Sequence, residues 1–106
     1  MSSTAYAMLG VGEAIAMTVK INMPVFLQPF TSNTETIEVE GKTVGECLGA
    51  LLTKYPEVRD MLVDQGGKLH SYVGVYINGK DAFPGELDKR VEDGDEIHVL
   101  YALAGG

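Results

Sequence analysis

The residues best suited to chemistry are the last two, Gly105 and Gly106. A free α-carboxylate on Gly106 has a reference pKa of about 3.3–3.7, so it is ionised at neutral pH and can attack an activated phosphate. Glycine has no Cβ, so a tail ending in it can thread a narrow channel, and attack at its activated acyl carbon meets no side chain. A plainer reading also covers the pair, because 13 of the 106 residues are glycine and termini fray. The tail follows directly on an alternating segment ending at Tyr101, which would anchor its base, and the small residues Ala102 and Ala104 suit threading.

Other reactive side chains form no constellation. Cys47 stands alone, which excludes an intrachain disulfide, a CxxC redox pair and a Cys-rich metal site. It falls between Val44 and Leu48 at the edge of an apolar stripe and reads as a buried small hydrophobe. His70 and His98 belong to no H-E-x-x-H array, so a two-histidine metal site is not expected. Asp93 and Asp95 flank Gly94 and read as the solvated acids of a turn, ahead of an acid–base pair or a calcium site. No G-x-x-x-x-G-K-[ST] phosphate loop is present.

The elements that must hold these residues follow from periodicity. Val19, Ile21 and Met23 alternate with Lys20 and Asn22, as in a half-buried strand. The polar stretch Thr31-Ser32-Asn33-Thr34 leads to a second alternation with Ile37 and Val39 inward, so the two segments read as a hairpin. Thr43 and Glu46 form a T-x-x-E capping box, and Val44, Leu48, Leu51, Leu52 and Tyr55 then recur at helical spacing. Gly45 and Gly49 weaken that helix by roughly 1 kcal/mol each. Their four-residue spacing predicts a shared face for close packing. Pro56 ends the helix and opens a second, short one carrying Val58, Met61 and Leu62, which Gly66-Gly67 breaks. Val73, Val75 and Ile77 predict a third strand closed by an Asn78-Gly79 turn. Leu87 and Val91 are read as core contacts from a short strand and its following loop. After Asp93-Gly94-Asp95, residues Ile97, Val99 and Tyr101 form the last strand.

A hairpin, a helix laid across it and a return to the same sheet describe an α+β roll. The expected fold is a β-grasp (ubiquitin-like) roll, a mixed sheet packed on one main helix, with first and last strands parallel at the centre. His98 and Leu100 would then lie on the open sheet face. Leu100 and Leu103, with Tyr76 on a neighbouring strand, read as well as a docking patch as they do as scattered surface hydrophobes.

Composition bounds the function. At 106 residues the chain fits one domain, and no apolar run reaches the roughly 20 residues that span a bilayer, so no membrane role is expected. Eight basic against fifteen acidic residues give a net charge of -7. That excludes general nucleic-acid binding, which depends on Lys and Arg at phosphates, and suits solubility or docking onto a basic protein. Residues 1–17 contain neither Lys nor Arg, and glycines and Glu13 interrupt their apolar residues. They fit a secretory signal poorly and are read as a loosely ordered extension, ahead of a domain at 18–106. Met17 is an alternative start. The lone cysteine and missing export signal fit a reducing cytoplasm.

Tyr55-Pro56 with Leu62 downstream, Asn78-Gly79, Leu87 and Val91, Asp93-Gly94-Asp95-Glu96-Ile97, and Ala104-Gly105-Gly106 occur in this order across Thr18–Gly106. Together they resemble the ubiquitin-like sulfur carriers. That family includes the small subunit of molybdopterin synthase, the thiazole-pathway carrier and carriers for cysteine synthesis.

The resemblance implies that a ubiquitin-activating-like adenylyltransferase adenylates the Gly106 carboxylate with ATP and magnesium. A sulfurtransferase or persulfide donor then converts the adenylate to a thiocarboxylate. The carrier itself binds no cofactor or metal. It acts as a co-substrate, or as the small subunit of a molybdopterin synthase-type sulfurtransferase, delivering sulfur to an acceptor such as a synthase large subunit.

The resemblance further implies that Gly105 and Gly106 are the reactive end and that Tyr76, His98, Leu100, Leu103 and Ala104 dock partners. Molybdopterin (molybdenum cofactor) biosynthesis is the expected route, with thiamine or cysteine biosynthesis as alternatives. One departure bears on the route: molybdopterin-type carriers often place prolines just before the terminal Ala-Gly-Gly, where this chain has Tyr101-Ala102-Leu103. A ubiquitin-like protein modifier or adaptor is the competing class.

Overall fold

In the computed structural model, which describes residues 18–101, the first alternating segment is strand β1 (Thr18–Asn22). Val19 and Ile21 are fully buried. Strand β2 (Thr36–Glu40) runs antiparallel to it, with Val19 opposite Val39 and Ile21 opposite Ile37. Both apolar pairs therefore share the covered face.

The hairpin connection is more than a polar turn. It contains a 3-10 helix, Val25–Thr31, in which Leu27 and Thr31 are buried. Thr31 is thus a core residue and not part of a solvated stretch. Its hydroxyl lies 3.2 and 3.1 Å from the carbonyls of Gln28 and Thr34, so the buried group is satisfied inside its own loop.

Helix α1 (Val44–Lys54) starts at the predicted box. Thr43 Oγ1 accepts from the Glu46 amide at 3.1 Å. The return arm reaches one residue further back than the pattern predicts, because the Glu46 carboxylate accepts from the Lys42 amide at 2.8 Å. Val44, Cys47, Leu48 and Leu51 are buried against the sheet, each large one contributing about 1.5–3 kcal/mol. Of the two helix glycines, only Gly45 has a close neighbour. A Cβ there would sit 3.0 Å from the Leu87 carbonyl oxygen, whereas one on Gly49 would meet nothing within 4 Å among the described residues. The predicted shared packing face is therefore confined to Gly45.

Pro56 ends α1 and opens a 3-10 turn, Pro56–Val58, which runs into the short helix α2 (Arg59–Leu62). Strand β3 (Val73–Ile77) follows. Asn78 and Gly79 both have positive φ (51° and 86°), the two-residue turn whose twist matches a hairpin. The turn leads into β4 (Lys80–Asp81). This is the chain's short strand; the one expected around Leu87 is instead a 3-10 helix, Glu86–Asp88. Leu87 packs partly buried against the core and Val91 is buried.

Strand β5 (Glu96–Tyr101) enters last and lies in the middle of the mixed sheet, whose order is β2-β1-β5-β3-β4. It pairs parallel with β1 and antiparallel with β3, as a β-grasp roll requires. Asp93 Oδ1 accepts from the Thr18 amide, and Asp95 accepts from the Glu92 amide and from Asn78 Nδ2. Both carboxylates thus brace the turn that feeds β5. Among the described residues no helix is long and apolar enough to cross a membrane.

Candidate functional site

Tyr101 is the last described residue, at the end of the central strand. Leu103, Ala104, Gly105 and Gly106 lie outside the described residues, as does the 1–17 extension. What the structure shows is how the base of the tail is held. The Tyr101 ring meets Phe26 edge-on, with centroids 4.8 Å apart, and Tyr72 at 5.3 Å. Tyr72 in turn stacks on His70 at 4.9 Å. The Tyr101 hydroxyl donates to the Met61 carbonyl of α2. Burial, and then the neighbouring Tyr72, push the phenol pKa up, so the group remains a donor at neutral pH.

Ile97 and Val99 of β5 are buried in the core, and Glu96, His98 and Leu100 alternate with them onto the open face. Tyr76 on β3 lies directly opposite His98, and Gly74 opposite Leu100. Leu100 is 46% exposed and Phe83 is 70% exposed, and both line one shallow depression with Gly74 and Tyr76. Gly74 forms its floor: a Cβ there would make ordinary contacts at 3.8 Å with the Leu100 carbonyl and the Tyr76 ring. The structure thus brings Tyr76, His98 and Leu100 together on one surface.

Towards β1 that surface turns polar. Asn22 Nδ2 lies 3.5 Å from Glu96 Oε1 and 3.3 Å from His98 Nε2, and Thr36 donates to Asn22 Oδ1 at 2.7 Å. His98 also lies 3.5 Å from Glu96 Oε1. His98 therefore sits at the border between an apolar half and a hydrogen-bonded polar half.

Phe83 is the exposed apolar residue of this face that sequence reasoning missed, although register alone reaches it. The Asn78-Gly79 turn sets Ile77 against Lys80 and Tyr76 against Asp81. The Ala82 amide continues the ladder to the Val75 carbonyl at 2.9 Å, and strict alternation then gives Phe83 the face of Gly74. Phe26 and Tyr72, which hold Tyr101, carry no local signal, since each reaches the strand end from a distant loop.

The remaining reactive groups are tied up. Cys47 is fully buried, and burial, followed by nearby Glu46, raises its thiol to about 11, so little thiolate exists at neutral pH. His70 Nε2 lies 2.8 Å from the Asp60 carbonyl, away from His98. Asp64 is held below the usual carboxylate range, first by a hydrogen bond from the Lys68 amide and also by one from Gly66. It closes a turn. Among the described residues no group of three His, Cys, Asp or Glu side chains is placed to hold a metal ion.

With this geometry, the model of the ThiS family matches residues 21–106. The chain belongs to the ThiS family of ubiquitin-like sulfur carriers. Among ThiS-type relatives, the chain is 34% identical over 93 residues to the sulfur carrier protein CysO of Mycobacterium tuberculosis, covering 85% of this chain and 100% of that one. It is 32% identical over 76 residues to the small archaeal modifier protein 1 of Haloferax volcanii, covering 71% of this chain and 84% of the relative. Among solved structures, it matches the Amycolatopsis orientalis BexX/CysO complex at 34% identity with a TM-score of 0.75, over 83% of this chain and 99% of that one. The β-grasp fold expected from the order of elements is the fold of these neighbours.

Proposed function

We propose that this ThiS-family chain carries sulfur on the Gly106 carboxylate. The carboxylate oxygen attacks the α-phosphorus of ATP, held with magnesium by an activating enzyme, and pyrophosphate leaves. The terminal sulfur of a persulfide then attacks the acyl carbon and AMP leaves. A thiol cleaves the resulting acyl disulfide, releasing the thiocarboxylate and a disulfide. Every group that binds ATP belongs to the partner, and the reaction would run in the cytoplasm.

The observation that carries this reading is the family match through Ala104-Gly105-Gly106, on a chain whose one thiol is sealed in the core. The depression formed by Gly74, Tyr76, Phe83 and Leu100 gives the activating and acceptor enzymes an apolar face at the end of the strand that leads into the tail, with His98 at its polar edge; Leu103 and Ala104, next in sequence, are proposed as further contacts. That a similar CysO forms a complex with BexX supports partner docking by this fold.

For the acceptor, we favour a cysteine-type route over molybdopterin. It is supported by 34% identity to the CysO protein and by Tyr101-Ala102-Leu103 standing where molybdopterin carriers often have prolines. The test is intact-mass measurement after incubation with the cognate activating enzyme, ATP, magnesium and a persulfide donor. The reading requires one oxygen replaced by sulfur, located in the C-terminal peptide. No such species under these conditions overturns it. Offering the product to a molybdopterin synthase large subunit and to a cysteine-forming acceptor enzyme separates the routes.

A second reading, conjugation to protein lysines, is favoured by the 32% identity to small archaeal modifier protein 1. It predicts a ladder of conjugates in the host that disappears when Gly106 is deleted.

A further inference from the structure

The short helix α2 lies far from the tail in sequence but meets it in space. Its C-terminal carbonyls have no partners within so short a helix and must find them elsewhere. Arg59 O accepts from the Val63 amide at 2.9 Å, and Leu62 O accepts from the His70 amide at 3.0 Å. Asp60 O lies 2.8 Å from His70 Nε2, and Met61 O accepts from the Tyr101 hydroxyl. Beyond the adjacent Val63, the helix end is thus completed by two residues distant in sequence, His70 and Tyr101, which are themselves joined through the Tyr72 ring. Phe26 closes the other side of Tyr101 from the 3-10 helix in the β1–β2 connection. Three distant segments converge on one side chain at the end of β5.

We infer that Tyr101 is a positioning residue for the adenylation proposed above, pinning the end of β5 to α2 so that the tether to the Gly106 carboxylate is counted from a fixed point. The inference rests on the carrier reading. Five residues follow Tyr101, and at full extension they span at most about 18 Å. A partner that docks on Leu100 and Tyr76 and must receive the carboxylate at a set distance needs that starting point fixed. If Tyr101 is released, the Val73–Tyr101 pair at the end of the β3–β5 ladder opens and the tether lengthens. Lengthening the tether from five residues by two lowers the effective concentration of the carboxylate by about 1.7-fold, on the −3/2 power of length. Lost orientation lowers the rate further.

The test compares wild type, Tyr101→Phe and Tyr101→Leu. Tyr101→Phe keeps the ring contacts and removes only the hydroxyl. ATP–pyrophosphate exchange with the cognate activating enzyme supplies kcat and KM, and amide hydrogen exchange monitors residues 98–101. Tyr101→Leu is expected to lower kcat about three- to tenfold, with KM changed less than twofold because Leu100, Tyr76 and Phe83 are intact. The same variant is expected to show faster amide exchange at the strand end, with Tyr101→Phe intermediate in both readouts. A purely structural tyrosine would lower the melting temperature without separating kcat from KM. Wild-type kcat in Tyr101→Leu overturns the inference, as does unchanged amide exchange at 98–101. A wild-type chain that supports no exchange at all overturns the carrier reading itself, and the inference with it.

Discussion

Gly45 and Gly49 are chemically identical, one helical turn apart, and the structure assigns their substitution by alanine opposite signs. In a helix interior, Gly→Ala gains roughly 0.8–1 kcal/mol from backbone entropy and propensity. At Gly49 no described residue opposes that gain, since among the described residues the new methyl would meet no heavy atom within 4 Å. Gly49→Ala should therefore stabilise by about 0.5–1 kcal/mol, a rise of a few degrees in Tm for a domain of this size.

At Gly45 the methyl would lie 3.0 Å from the Leu87 carbonyl oxygen and 3.5 Å from Leu87 Cβ. That loop has little freedom to retreat, because the Val44 amide is bonded to the Lys89 carbonyl at 2.9 Å and the 3-10 turn closes on its own carbonyls. Overpacking of this kind costs about 1–3 kcal/mol, so Gly45→Ala should destabilise by about 1 kcal/mol net. Urea unfolding with a shared m-value separates the pair. Equal stabilisation by both variants would refute the close approach of the Glu86–Asp88 turn to α1.

Leu51→Ala removes a side chain that is fully buried and should cost about 2–5 kcal/mol in urea unfolding. Leu100→Glu and Phe83→Ser change exposed side chains. Stability should stay within about 0.5 kcal/mol of wild type, while KM for the activating enzyme rises about tenfold, a loss of about 1.4 kcal/mol. Cys47 should resist alkylation in the folded protein at pH 8 and react fully in denaturant. Its folded-state pKa, about 11, lies above the ordinary 9.0. The stability it contributes is therefore present below pH 9 and lost as pH rises towards 11, which unfolding at stepped pH measures.

The regular elements were legible because each announces itself locally. Val19 and Ile21 alternate, Val44, Leu48 and Leu51 recur at 3.6, and Thr43 with Glu46 marks where the helix starts. The 3-10 helix at Val25–Thr31 was not legible, because it has no 3.6-residue period and Pro29 lies within it. Thr31 looked solvated for a related reason: its polarity is satisfied by carbonyls of its own loop, which composition does not reveal. The short strand was sought near Leu87, an apolar residue, whereas Lys80 and Asp81 are exposed and owe their strand pairing to the Asn78-Gly79 turn. On the open face, Tyr76, His98 and Leu100 followed from alternation alone. The holding of Tyr101 did not, since Phe26, Met61 and Tyr72 meet it only after the chain has folded.

The parallel pairing of β1 with β5 also has a consequence for how the protein is made. Lys20 pairs with Glu96 and Asn22 with His98, so the sheet cannot close until nearly the whole chain has been synthesised. Contacts this distant in sequence form late and slow folding. A nascent or truncated chain therefore lacks both the central strand and the open-face residues His98 and Leu100 that it carries. On the proposed function, assembly of the fold and presentation of the reactive end would become one event, and a half-built carrier would have nothing for an activating enzyme to hold.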